Sequence, residues 1–132
     1  MIALDTNIIV RFLVRDDEKQ SQSVYARFKQ AEKDRETLLI PFLVLLETIW
    51  VLESAYDMHR NEILSALEDL RRMPILEFEN EEILQRLLIS GRNNKVDLDD
   101  LLIAFTAQDC GCDSMITFDR KALGYDFFRL LK

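Results

Sequence analysis

Four acidic residues lie inside or directly after apolar segments, where a chain normally keeps apolar side chains. These residues are Asp5, Glu47, Asp100 and Asp119. An ionised carboxylate beside a core is costly to desolvate unless another group compensates its charge. Clustered carboxylates are usually compensated by a hard divalent cation, which prefers oxygen ligands. The pattern therefore predicts a fold that gathers negative charge around such a cation.

Short apolar segments alternate with longer helical patterns along the chain. The predicted strands are residues 2–4, 37–40, 75–78 and 114–118, and the longer predicted helices are residues 18–34, 42–57, 61–72, 80–91 and 97–110. This alternation predicts an α/β fold whose parallel sheet is covered by helices on both faces. The helix at 42–57 is nearly all apolar, so we expect it to be buried on most faces. A length of 132 residues predicts a single domain, residues 1–132.

Composition limits the location and the partners of the chain. The longest apolar stretch, residues 42–52, is interrupted by a charge and is too short for a membrane span. No leader pattern is visible, and the two cysteines, Cys110 and Cys112, fit a reducing compartment, so we expect a cytoplasmic protein without a membrane partner. The net charge of −7 has the wrong sign for a nucleic-acid binder, although bound divalent cations would offset part of it.

Each of the four acids also has an ordinary structural interpretation. Asp5 and Asp119 follow predicted strands, at the edge where open α/β sheets bind ligands. However, Asp5 is also suited to capping the next helix, and Asp119 to an ordinary turn. Glu47 has apolar helical neighbours in Leu43 and Trp50, so the alternative for it is a buried glutamate paired with a basic residue.

Three acids are concentrated in the four residues that end at Asp100. Acids are favoured at a helix N-terminus, and Asp97 as N-cap with Asp100 three residues later would resemble a capping box. Capping explains one or two of these acids but not all three, because adjacent like charges repel. Asp100 is the best ligand candidate, since it shares a helix face with the small residue Ala104. Asp99 has no separate role in this interpretation.

Four segments, taken in this order, resemble the PIN domain and within it the VapC-type toxin ribonucleases. The segments are residues 2–7, 45–52, 97–104 and 117–120. The resemblance covers nearly the whole chain. It implies a PIN-like α/β fold with a central short parallel sheet of about four to five strands, formed by a single PIN domain.

The resemblance also implies roles for individual residues. The four acids named at the outset would be the catalytic residues and would bind Mg²⁺ or Mn²⁺, with Asp97 as an additional outer ligand. Asn7 and Thr117 would help to order water or substrate. Arg11 and Arg15, which are four residues apart on the first helix, are candidates for substrate contact. Ordinary solvated surface explains these two arginines equally well.

The function implied by the resemblance is metal-dependent hydrolysis of RNA phosphodiester bonds, as the toxin of a toxin–antitoxin pair. The implied partners are RNA, a VapB-like antitoxin and a second copy of the chain. One alternative is a non-catalytic PIN-like module, although such modules usually lose acids and all four are present here. The other is an aspartyl-phosphate phosphatase, which needs a second aspartate where this chain has Asn7.

Overall fold

The computed structural model describes residues 1–132 and contains five strands, six α-helices and one 3₁₀-helix. In chain order these are β1 (Ile2–Ala3), α1 (Thr6–Val14), α2 (Glu18–Asp34), β2 (Leu38–Ile40), α3 (Phe42–Ser54), α4 (Arg60–Arg71), β3 (Leu76–Phe78), α5 (Glu81–Asn93), α6 (Leu98–Asp109), β4 (Met115–Thr117), the 3₁₀-helix (Arg120–Gly124) and β5 (Phe128–Leu130). None of these helices combines the length and the apolar character that a membrane span requires.

Every strand pairing is parallel, which confirms the predicted α/β class. The strands lie in two sheets, one with the order β1-β2-β3 and one that pairs β4 with β5. The chain forms two compact units, residues 1–81 and 82–132. Each unit contains one of the two sheets. The single domain proposed for residues 1–132 stays a prediction.

The first unit is built around strand β2, in which Leu38 and Ile40 are buried. Leu38 pairs with Ile2 of β1 and with Leu76 of β3, and Ile40 pairs with Phe78. The helix predicted at residues 18–34 has those bounds in the structure. It buries one side, which carries the apolar residues Val24, Phe28 and Ala31 at helical spacing.

Helix α3 differs from its prediction. Leu45, Ile49 and Leu52 are buried, but Leu43 is 74% exposed and Trp50 is 58% exposed. The expected burial on most faces is therefore wrong. Packing against α1 and α4 covers one side of the helix and leaves the other in solvent. An all-apolar composition does not show which side that will be, because it carries no amphipathic period.

In the second unit, helix α6 is followed along the chain by the two strands of the second sheet. Leu101 and Phe105 of α6 are buried. Gly111 follows the C-cap Cys110 with φ of 88°, a left-handed conformation that residues with a side chain rarely adopt. The apolar C-terminal tail forms β5, whose Phe128 pairs with Met115 of β4.

Candidate active site

In the first unit, Thr6 links two of the four acids, one through its backbone and one through its side chain. Asp5 is the N-cap of α1, and its Oδ1 accepts a hydrogen bond of 2.8 Å from the backbone N–H of Thr6. The buried Thr6 hydroxyl donates to Oε1 of Glu47 on α3. The capping interpretation of Asp5 is thus confirmed. A carboxylate that caps through one oxygen still has its second oxygen for a ligand.

Glu47 is neither buried nor paired with a basic residue, so the alternative interpretation of this glutamate is wrong. Its side chain lies on the exposed side of α3, and its hydrogen-bond partner is the Thr6 hydroxyl. The hydroxyl holds the carboxylate in place without neutralising its charge. The carboxylate therefore stays available to a cation.

In the second unit, three carboxylates form a cluster that we call the acid triad: Asp97, Asp100 and Asp119. One oxygen from each lies within 4.8 Å of the others. Asp97 immediately precedes α6, Asp100 lies in its first turn, and Asp119 immediately precedes the 3₁₀-helix. Three carboxylate oxygens at this spacing form a donor set that fits Mg²⁺ or Mn²⁺.

The predicted capping box at α6 does not form. Asp97 occupies the N-cap position, but its side chain makes no capping hydrogen bond. Instead, Oδ1 of Asp97 accepts a hydrogen bond of 2.7 Å from Nζ of Lys121. Oδ1 of Asp99 accepts from the backbone N–H of Asp100 at 2.9 Å. The Asp97 carboxylate is therefore part of the triad and not a helix cap, whereas Asp99 makes a local contact and lies outside the triad.

The surroundings of Asp100 disfavour its ionised form. Partial burial raises the pKa of the Asp100 carboxyl, and the negative charges of Asp99, Asp97 and Asp119 raise it further. The positive charge of Lys121 opposes this shift. A carboxylate with a raised pKa among other acids is stabilised by any added cation. The electrostatic environment and the ligand chemistry therefore both favour Asp100 as a metal ligand.

The turn that carries Asp119 is held by hydrogen bonds to both neighbouring segments. The backbone N–H of Asp119 donates to Oγ1 of Thr117 at 3.0 Å. Oδ1 of Asp119 accepts from the backbone N–H of Lys121 at 2.9 Å. These bonds orient the Asp119 carboxylate at the carboxyl end of β4. Thr117 therefore stabilises the turn by accepting this hydrogen bond. Its predicted role in ordering water or substrate stays a prediction.

Asn7 lies exposed in the first turn of α1, where its side chain helps to line an open groove of about 570 Å³. The groove continues past Arg11 to Lys19 on α2. An amide here can donate to or accept from a ligand. Its predicted role in ordering water or substrate stays a prediction.

Arg11 is engaged in a network that joins α1 to its neighbours. Its Nη1 donates to the Tyr56 hydroxyl at 3.1 Å and to Oδ1 of Asp16 at 3.2 Å, and its Nε donates to Gln20 at 2.7 Å. Arg15 ends α1 with φ of 59° and is exposed. Contact of either arginine with substrate stays a prediction, and for Arg11 it would require one of these bonds to be given up.

Replacement of Tyr56 by phenylalanine should lower the free energy of unfolding by about 1 kcal/mol. The hydroxyl donates to Oδ2 of Asp16 at 2.7 Å and accepts from Arg11, and both bonds would be lost. Chemical denaturation measures the loss. Tyr25→Phe is the control, because the hydroxyl of the exposed Tyr25 makes no such bonds. An equal loss in both variants would contradict a specific role for the network.

The cost of Tyr56→Phe should also depend on pH. The Tyr56 hydroxyl, followed by Arg11, lowers the pKa of Asp16 below its ordinary value. A lowered folded-state pKa means that this stabilisation is complete above the pKa of the unfolded chain, near 4, and is lost as pH falls through the folded-state value. The difference between wild type and Tyr56→Phe should therefore shrink under acidic conditions.

These elements and carboxylates define a protein class. The sequence profile of the PIN domain family matches residues 2–127, so the chain belongs to that family. The chain is also 24% identical over 127 residues to the VapC ribonuclease of Aquifex aeolicus (strain VF5). That alignment covers 95% of this chain and 93% of the relative. Both findings confirm the resemblance predicted from the four segments.

Proposed function

We propose that this chain is a metal-dependent endoribonuclease and the toxin of a toxin–antitoxin pair. The observation that carries the proposal is the acid triad, three carboxylate oxygens within 4.8 Å in a chain that belongs to the PIN domain family. The likeness to a VapC ribonuclease supports RNA as the substrate. Hydrolysis of phosphodiester bonds is the chemistry that such a donor set serves.

The proposed metal ligands are Asp97, Asp100 and Asp119, and we propose that Asp5 and Glu47 serve the same reaction. Bound Mg²⁺ or Mn²⁺ would supply a Lewis acid that activates water and offsets charge on the phosphate. The side chains need not transfer protons themselves. Their proposed role is to bind the cation and to fix its position.

Neighbouring residues position these carboxylates. Thr6 donates to Glu47 through its hydroxyl and to Asp5 through its backbone N–H, so one residue orients both acids. Thr117 holds the turn that carries Asp119. Asn7 offers an exposed amide one residue further along α1, suited to ordering water or an RNA group.

The proposed partners beyond RNA are a VapB-like antitoxin and a second copy of the chain. The likeness to a VapC ribonuclease supports the antitoxin, and the second copy is proposed from the family resemblance of the four sequence segments. The exposed Leu43 and Trp50 of α3 provide apolar surface that a protein partner could cover. A cytoplasmic location, where RNA and an antitoxin would be met, is part of the same proposal.

The test is a cleavage assay on single-stranded RNA with the purified chain in chelator, in Mg²⁺ and in Mn²⁺. We expect cleavage only with metal. The same samples are given a phosphomonoester, such as p-nitrophenyl phosphate. Turnover of the phosphomonoester with intact RNA would favour the phosphatase alternative. Reaction with neither substrate would favour a non-catalytic binding module.

A further inference from the structure

The residue that most needs an explanation is Lys121, because it engages two members of the acid triad at once. Its Nζ lies 2.7 Å from Oδ1 of Asp97, and its backbone N–H donates to Oδ1 of Asp119 at 2.9 Å. Its positive charge also acts on Asp100. A flexible cationic side chain is thus paired with one of the three carboxylates that are proposed to bind a cation.

We propose that Lys121 is a positioning residue that is held on Asp97 while the triad lacks a cation, and that is transferred to an RNA phosphate when the triad holds one. This inference rests on the proposed function and adds a substrate contact to it. The step moves a charged group and forms or breaks no covalent bond.

The first part of the inference follows from charge. Lys121 and a divalent cation in the triad would share the Asp97 carboxylate and repel each other, so a bound cation would weaken the pairing of the ammonium with Asp97. The Lys121 side chain is 60% exposed and that of Asp97 is 42% exposed. Ion pairs with this exposure are weak, and the pair can therefore be given up at little cost.

The second part follows from what the substrate needs. An RNA phosphate that approaches the triad meets three carboxylates on a chain with a net charge of −7. A cation supplied by the chain at this point would offset that repulsion. Lys121 is anchored beside Asp119 by its backbone, and its four-carbon stem lets the ammonium swing while the anchor stays in place.

The two parts of the inference predict that replacing Lys121 strengthens metal binding but weakens RNA cleavage. Lys121→Gln should bind Mn²⁺ about three- to tenfold more tightly than wild type, since a competing charge is removed. The same variant should lose about tenfold in kcat/KM for single-stranded RNA, as expected for one charge-assisted hydrogen bond. A residue with a merely structural role would weaken both properties together.

The experiment measures Mn²⁺ affinity by titration calorimetry and kcat/KM as a function of salt. Loss of one phosphate contact should make the slope of log kcat/KM against log salt shallower by about 0.7. Lys121→Arg should retain the wild-type slope, because it keeps the charge. Arg120→Gln is the matched control for metal binding, since this exposed neighbour on the same 3₁₀-helix makes no ion pair with the triad.

Parallel losses of metal binding and RNA cleavage in Lys121→Gln would overturn the inference, as would a metal affinity equal to that of wild type. A wild-type salt slope in Lys121→Gln would show that no phosphate contact was removed, and would overturn it too. The proposed function fails separately. If wild type neither binds Mn²⁺ nor cleaves RNA, the function is wrong, and the inference falls with it.

Discussion

Replacement of Asp100 by asparagine should reduce RNA cleavage by more than about 100-fold, because even the outer-shell partners of a metal ligand are worth about 10- to 100-fold. Asp100 is one of the three acids whose oxygens converge. Asparagine has nearly the same shape but lacks the charge that holds a divalent cation. The measurement is the initial cleavage rate in saturating Mn²⁺, together with circular dichroism to show that the fold is retained.

Asp99→Asn is the matched control for this prediction. Asp99 is adjacent in sequence and equally acidic, but its carboxylate bonds to the backbone N–H of Asp100 and lies outside the triad. We expect its cleavage rate to stay close to that of wild type. Full activity in Asp100→Asn, or a collapse confined to Asp99→Asn, would mean that the wrong member of the pair was assigned to the metal.

Local patterns predicted the features of this chain that depend on neighbouring residues. Helix α2 has its predicted bounds, because apolar residues recur along it with a helical period, and in the structure Asp17 caps its start. Asp5 and Asp119 were expected at strand ends, because each follows an apolar segment and precedes a helical one. A glycine after α6 is likewise a local feature, because its left-handed conformation suits few other residues.

Features that depend on distant residues were not predicted. Lys121 meets Asp97 from 24 positions away, and Tyr56 meets Asp16 from 40 positions away. No period or motif signals such a pair, since each side chain taken alone resembles ordinary surface. The failed capping box at Asp97 has the same origin, because a distant lysine competes for the carboxylate that the local pattern assigns to the helix.

The hydrogen bond between Thr6 and Glu47 could be predicted only in part from the sequence. In the sequence, Glu47 stands out as a charge among apolar neighbours, and Thr6 is a polar residue directly after Asp5. Their contact depends on the packing of α1 against α3, which sequence periodicity does not specify. The exposed side of α3 was missed for the same reason. An all-apolar helix requires a partner, but its sequence does not identify which side is covered.

Metal binding should reverse the order of stability between wild type and Asp100→Asn. In chelator, the acids around Asp100 repel one another, so the asparagine variant should melt at a higher temperature than wild type. In Mg²⁺ at about 100 times the dissociation constant, wild type should gain about 2.7 kcal/mol, which corresponds to roughly 10 °C in a chain of this size. The variant should gain much less, because it has lost a ligand. The measurement is the melting temperature of wild type and of Asp100→Asn, each in chelator and in Mg²⁺.

The pH dependence in chelator checks whether charge is the cause. The raised pKa of Asp100 means that the folded chain binds this proton more tightly than the unfolded chain does. The penalty for ionising Asp100 is therefore absent below the pKa of the unfolded chain, near 4, and complete once pH exceeds the raised folded-state value. The advantage of Asp100→Asn over wild type should grow across that window. An advantage that is the same at every pH would point to altered packing instead.

Asp113→Asn separates a ligand effect from a general loss of negative charge. Asp113 is exposed in the turn between α6 and β4 and lies outside the acid triad. Its replacement changes the net charge by the same amount as Asp100→Asn, so a diffuse electrostatic effect would appear equally in both variants. We expect Asp113→Asn to gain as much from Mg²⁺ as wild type does. If all three proteins gained equally, the metal would bind away from Asp100, and the assignment of the triad would be wrong even if the chain cleaves RNA.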